Sequence, residues 1–204
     1  MRIAAKIISY IFHPLLFTTY LVLVLGWLMP HFLSIPSSAI LTFAGLVFVM
    51  TFVLPVVNLV MFRAFGTLPS LLMKTRQERL LPFILITIIY AVVTAMFFYK
   101  VSANVNFNRV MLIIMLLVFA GTMITFFQKV SFHSIAICGA VGIMMPLNKV
   151  VENGALLLPT TAALTLAGVV MTSRLYLNAH TSREVMYGAI IGFSIGFFGM
   201  VYLF

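Results

Sequence analysis

The stretch SAILTFAGLVFVMTFVLPVVNLVMF, residues 38 to 62, runs 25 residues without a charged side chain. A helix needs roughly 20 apolar residues to cross a hydrocarbon layer ~30 Å thick, so this run is long enough to span one. Similar runs occupy residues 7–29, 81–99, 108–127, 133–150, 155–172 and 185–203. Turn chemistry separates them: a Pro/Ser segment at 30–38, the polar hairpin KVSANVNFNR at 100–109, and PLNKVVENG at 146–154. The run at 133–150 is shortened by Pro146, Asn148 and Lys149. The first run continues through Gly26-Trp27-Leu28-Met29 with no small-residue cleavage site, and reads as a retained span rather than a signal peptide. The expected fold is all-α, a polytopic membrane helical bundle of about six to seven transmembrane helices, forming one domain over residues 1–204.

Composition agrees. The chain is 64% hydrophobic and 7% charged, with a mean hydropathy of +1.23, which excludes an ordinary soluble domain. The net charge of +9 reflects scarce acids, since Glu78, Glu152 and Glu184 are the only acidic side chains. A basic membrane protein of this kind meets a lipid bilayer with anionic headgroups rather than nucleic acid. The single cysteine, Cys138, excludes an internal disulfide and reads as a packing residue. Gly188, Gly192 and Gly196, spaced by four, form a small-residue face for close helix packing within the chain. His13-Pro14, inside the first run, reads as a kink or an interhelical contact, and Lys149 with Glu152 as an exposed loop pair.

Polar residues gather in three places: KTRQER at 74–79, QKVSFHS at 128–134 and SRLYLNAHTSREV at 173–185. Two apolar runs separate each cluster from the next, so all three emerge on one membrane face and can converge, provided that the run at 133–150 crosses fully. Lys74, Arg76, Arg79, Lys129, Arg174 and Arg183 supply six of the twelve basic residues. Crowded cations without matching carboxylates suit phosphate, although topogenic positive charge at cytoplasmic loops gives the same pattern with no ligand. Two histidines on that face, His133 and His180, point further, to a nucleophile and an acid. His180 and Glu184 stand at i and i+4, and meet if the last helix begins there. A carboxylate held on one imidazole nitrogen fixes the tautomer and strengthens the other as a nucleophile; the same glutamate also complements a helix N-terminus. Three scattered acids and no His pair at ligand spacing leave no metal cage, so the expected chemistry needs no metal and no cofactor.

In these clusters the chain resembles the type 2 phosphatidic acid phosphatase superfamily of lipid phosphatases, related in fold to vanadium haloperoxidases. Its third motif, S-R-x5-H-x3-D, is matched by Ser173, Arg174, His180 and Glu184, with Glu in place of Asp. The second, P-S-G-H, falls on Val130, Ser131, Phe132 and His133, and keeps only the serine and histidine. The first, K-x6-R-P, falls on Lys74, Leu81 and Pro82, with leucine where the arginine belongs. The resemblance implies that His180 attacks phosphorus to give a phosphohistidine, that Glu184 orients it, and that His133 protonates the leaving group. It implies that Lys74, Ser131 and Arg174 bind the phosphoryl oxygens. Arg79 replaces the missing arginine if RQERL is a loop; in a helix it lies ~200° from residue 81 and is expected to face away.

The expected function is therefore metal-independent hydrolysis of a lipid phosphate or polyprenyl diphosphate in the membrane. The rival reading is a noncatalytic homologue that binds anionic lipid or assists another membrane protein. Arg2, Lys6, Arg63 and the six cluster cations stand on the motif face, against Lys100, Arg109 and Lys149 opposite. That bias favours a cytoplasmic site in a multi-pass protein of a bacterial cytoplasmic (inner) membrane.

Overall fold

The computed structural model describes residues 2–68, 70, 73, 75–100, 104–150 and 154–204. Among these residues the protein is helical, with ten α-helices and no strand: α1 (Arg2–Ile11), α2 (Phe17–Leu28), α3 (Pro30–Leu33), α4 (Ile40–Phe48), α5 (Leu54–Ala64), α6 (Gln77–Tyr99), α7 (Val105–Thr125), α8 (Phe132–Val150), α9 (Leu157–Tyr176) and α10 (Ser182–Leu203). Five helical segments are long and apolar enough to cross a membrane: Arg2–Leu28, Ser37–Ala64, Gln77–Tyr99, Val105–Thr125 and Ser182–Leu203. This is the makeup of a multi-pass membrane protein. The two other long helices, α8 and α9, span 19 and 20 residues and carry polar side chains at both ends.

Two of the long segments are interrupted where proline withdraws a backbone donor. At His13-Pro14 the chain passes through a short 3-10 turn, Pro14–Leu16, between α1 and α2. His13 caps that turn, its Nδ1 accepting the Leu15 N–H at 3.4 Å, so the expected kink is present. Between α4 and α5 the helix widens into a π turn, Val49–Val53. Pro55 cannot donate to the carbonyl four residues back, and that Thr51 oxygen accepts the buried Tyr90 hydroxyl at 3.1 Å.

The bundle is knit mainly by α8 against α10. Backbones approach so closely there that a Cβ on Gly188 would sit 2.7 Å from the Ser131 carbonyl oxygen, and one on Gly142 would sit 2.5 Å from that of Phe193. Gly192 and Gly196 abut the backbone of Ile135 and Gly139 in the same way. Apolar tails of lipid resemble apolar side chains, so helices inside a membrane gain mostly from such close contact. The seam sets the register of the two helix starts that carry His133 and His180. α6 meets α7 through Thr87 and Thr122, whose hydroxyls are 2.8 Å apart.

Candidate functional site

The SRLYLNAHTSREV stretch becomes a tight corner built from two caps. Asn178 takes a left-handed conformation, φ 52°, just past α9. The Ala179 N–H reaches back to the Arg174 carbonyl at 3.1 Å and the Asn178 N–H to that of Leu175 at 2.9 Å, closing the helix C-terminus. Two residues later Thr181 caps α10, its hydroxyl accepting the Glu184 N–H at 3.4 Å. His180 is held between the two caps. Its Nδ1 lies 2.6 Å from Glu184 Oε2, and its side chain is 3% exposed.

An ionised carboxylate only accepts, so Nδ1 carries the proton and Nε2 keeps its lone pair. Burial holds the ring neutral, and the cations of Arg79, Arg174 and Lys129 add to that, so the pKa is pushed down from 6.5 to about 3. A neutral imidazole with a carboxylate on one nitrogen and cations around it has the chemistry to act as a base or a nucleophile toward an anion.

The three polar clusters converge. The Ser131 N–H donates to the Glu184 carbonyl at 3.2 Å, and Lys129 Nζ donates to the Ala179 carbonyl at 3.1 Å. Burial lowers the Lys129 pKa first and nearby Arg79 lowers it further, against the opposing pull of Glu184. A cavity of about 560 Å³ opens among α1, α2, α6, α7, α8 and the corner, lined at its polar end by Arg79, His133, Arg174 and His180. Deeper, its walls are Leu21, Ile86, Tyr90, Ile114 and Ile143. Eleven residues separate Arg79 from Tyr90 on α6, which at 1.5 Å rise per residue carries the cavity roughly 16 Å into the bundle. A smaller polar recess on the other side of His180 is lined by Lys129, Ser182 and Glu184.

Arg79 corrects the expectation that a helical arginine at this position would face away. It lies in the first turn of α6 and is 8% exposed. It lines the cavity, with its Nε donating to the Met73 carbonyl at 2.8 Å. Leu81, at the position of the missing motif arginine, is 45% exposed on the outer face. The two residues do lie on opposite sides, but the inward side is that of Arg79. Arg76 is occupied elsewhere, bonding the carbonyls of Phe126 and Phe127 at the end of α7.

Ser131 lies immediately before α8. It is fully buried and lines neither cavity. Its Oγ accepts the Ser134 N–H at 3.4 Å and the Ser134 hydroxyl at 3.0 Å, and so caps the start of α8. Phe132, beside it, turns its ring between α6 and α7, 4.2 Å from the Phe83 ring centre. Ser173 donates to the Val169 carbonyl within α9, and Arg183 is exposed. Lys74 and Glu152 lie outside the described residues.

His133 lines the cavity, and its Nε2 lies 3.1 Å from the Ser9 carbonyl. A carbonyl can only accept, so that nitrogen is protonated and Nδ1 is left for the cavity. The first helix thus enters the site, which the motifs did not signal. Lys6, Ser9, Tyr10 and His13 all line the cavity, and their spacing of three and four residues marks one helical face. That period was present in the sequence, inside a run that reads first as a plain membrane span. His13 meets His133 edge to face, ring centres 5.9 Å apart.

No family model, curated protein or solved structure matches this chain.

Proposed function

We propose that the protein is an integral membrane phosphatase that hydrolyses a lipid phosphate or polyprenyl diphosphate without a metal, by way of a phosphohistidine. The observation that carries this reading is the His180 Nδ1–Glu184 Oε2 contact of 2.6 Å, made at the polar end of a cavity whose far walls are apolar. The resemblance of Ser173, Arg174, His180 and Glu184 to the third motif of the type 2 phosphatidic acid phosphatases supports it.

In the first step His180 Nε2 attacks phosphorus, the P–N bond forms and the bond to the leaving oxygen breaks. Glu184 stabilises the imidazolium character that develops on the ring. His133 keeps Nε2–H on the Ser9 carbonyl; its free Nδ1 takes the proton that the incoming phosphate monoanion carries and passes it to the leaving oxygen. Arg79 and Arg174 neutralise the phosphoryl oxygens. In the second step water attacks phosphorus, its proton passes to His133, the P–N bond breaks and inorganic phosphate leaves. The apolar depth of the cavity suits an acyl or prenyl tail.

Counting one or both of α8 and α9 beside the five apolar segments gives six to seven crossings. The excess of Lys and Arg at the motif end favours a cytoplasmic-facing site in a bacterial inner membrane. The outward Leu81 and the capping role of Ser131 favour a second reading, a noncatalytic homologue that binds anionic lipid or assists another membrane protein.

The test is a phosphate-release screen of purified protein in detergent, with chelator present, against phosphatidic acid, phosphatidylglycerol phosphate, undecaprenyl diphosphate and lipid A. Release from one of them that is lost in His180→Ala is the expected result. Release that requires magnesium, or that survives in His180→Ala, overturns the mechanism. Binding of anionic vesicles without release from any of the four favours the second reading.

A further inference from the structure

The cavity end holds more hydrogen-bond donors than one phosphoryl group at His180 needs, and two of them come from the first apolar segment. Ser9 is 7% exposed, lines the cavity, and its hydroxyl has no hydrogen-bond partner. The Arg174 Nε is likewise buried without a partner on the same cavity. His13 spends Nδ1 on the Leu15 N–H; its proton therefore sits on Nε2, which bonds to no described residue. An unpaired buried donor is costly, so the Ser9 hydroxyl and the Arg174 Nε on one cavity call for an acceptor-rich occupant, which the His13 Nε2 can also reach from the same wall. Lys6 lines the same wall, and the occupant it suits is anionic. From Lys6 on α1 to His13, just past its end, polar side chains line one wall of the cavity before apolar walls take over.

We propose that Ser9, His13 and Arg174 form a second anion subsite, which holds a second phosphoryl group beside the one that His180 attacks. The ligand class is a diphosphate headgroup carrying an apolar tail. Arg79 and His180 bound one subsite; the α1 wall bounds the other, with Arg174 between them. The inference rests on the phosphatase reading for its orientation, but it makes a claim about binding that is measured without turnover.

The probes are inorganic diphosphate and inorganic phosphate, titrated against the full-length protein in detergent and read by thermal shift and calorimetry. The second subsite adds donors that phosphate alone cannot use, so the parent is expected to bind diphosphate about tenfold or more tightly than phosphate. In Ser9→Ala the preference shrinks to within about threefold while phosphate affinity stays at the parent value. His13→Asn is the second variant. Asparagine still accepts the Leu15 N–H as a helix cap, but its amide N–H stops short of the Nε2 position, so the cap is kept and the subsite loses the reach of that donor. Should the parent bind the two anions equally, or should both variants keep its preference, the subsite is refuted. A parent that prefers diphosphate yet hydrolyses nothing refutes the phosphatase reading and leaves the subsite standing. A parent that hydrolyses monoesters with no diphosphate preference does the reverse.

Discussion

Replacing Glu184 with glutamine isolates the contact on which the proposed chemistry depends. Gln keeps the length of the side chain and its place in the first turn of α10, but it cannot carry the charge that faces the imidazolium. The bond it replaces spans 2.6 Å to a ring that is 3% exposed, so solvent does little to screen it. A hydrogen bond to a charged group contributes about 1.5–3 kcal/mol, and at 1.4 kcal/mol per decade that converts to a loss of roughly 10- to 150-fold in turnover. Glu184→Asp keeps the charge at shorter reach and is expected to lose less. The assay is phosphate release in detergent with chelator, at saturating lipid, with melting temperature measured alongside. Folded Glu184→Gln protein that turns over at the parent rate would show the carboxylate to be only a helix-terminus charge, and the nucleophile assignment would fail with it.

His180→Ala removes the nucleophile, so turnover is abolished; unchanged melting with intact turnover sinks the mechanism. Arg79→Ala is expected to cost about 2–4 kcal/mol of transition-state stabilisation, as for one preorganised donor, whereas Arg76→Ala keeps kcat/KM within about threefold. Equal activity in both variants would mean that the first cluster only sets topology. Because folding depresses the His180 pKa from 6.5 to about 3, its contribution to stability is complete above pH 6.5. It then declines as pH falls toward 3, where the unfolded chain binds a proton that the folded ring refuses. His180→Asn should flatten that part of the melting-temperature profile, and a slope identical to the parent refutes the depressed pKa. Gly192→Val drives a branched side chain into the Ile135 backbone; a protein melting as the parent does would contradict the α8–α10 seam.

Much of this protein is legible in sequence because the controlling physics is local or periodic. Uncharged runs such as 38–62 have to satisfy their own backbone in lipid, which makes them helices. The four-residue interval from His180 to Glu184, with Thr181 between them as a cap, fixes that pair from neighbours alone, and the glycines at 188, 192 and 196 announce the seam they form. What sequence spacing leaves open is direction. Spacing puts Arg79 and Leu81 on opposite sides of α6, but only the packing of α6 against the bundle decides that the arginine is the one turned inward. Likewise the motif position of Ser131 suggests a phosphate donor, and only the fold shows that its hydroxyl also caps the start of α8. The polar face of α1 reads as part of a span until the neighbouring helices close a cavity over it. Tertiary structure decided these because a helix carries its faces with it, while the identity of the buried face depends on the helices that arrive around it.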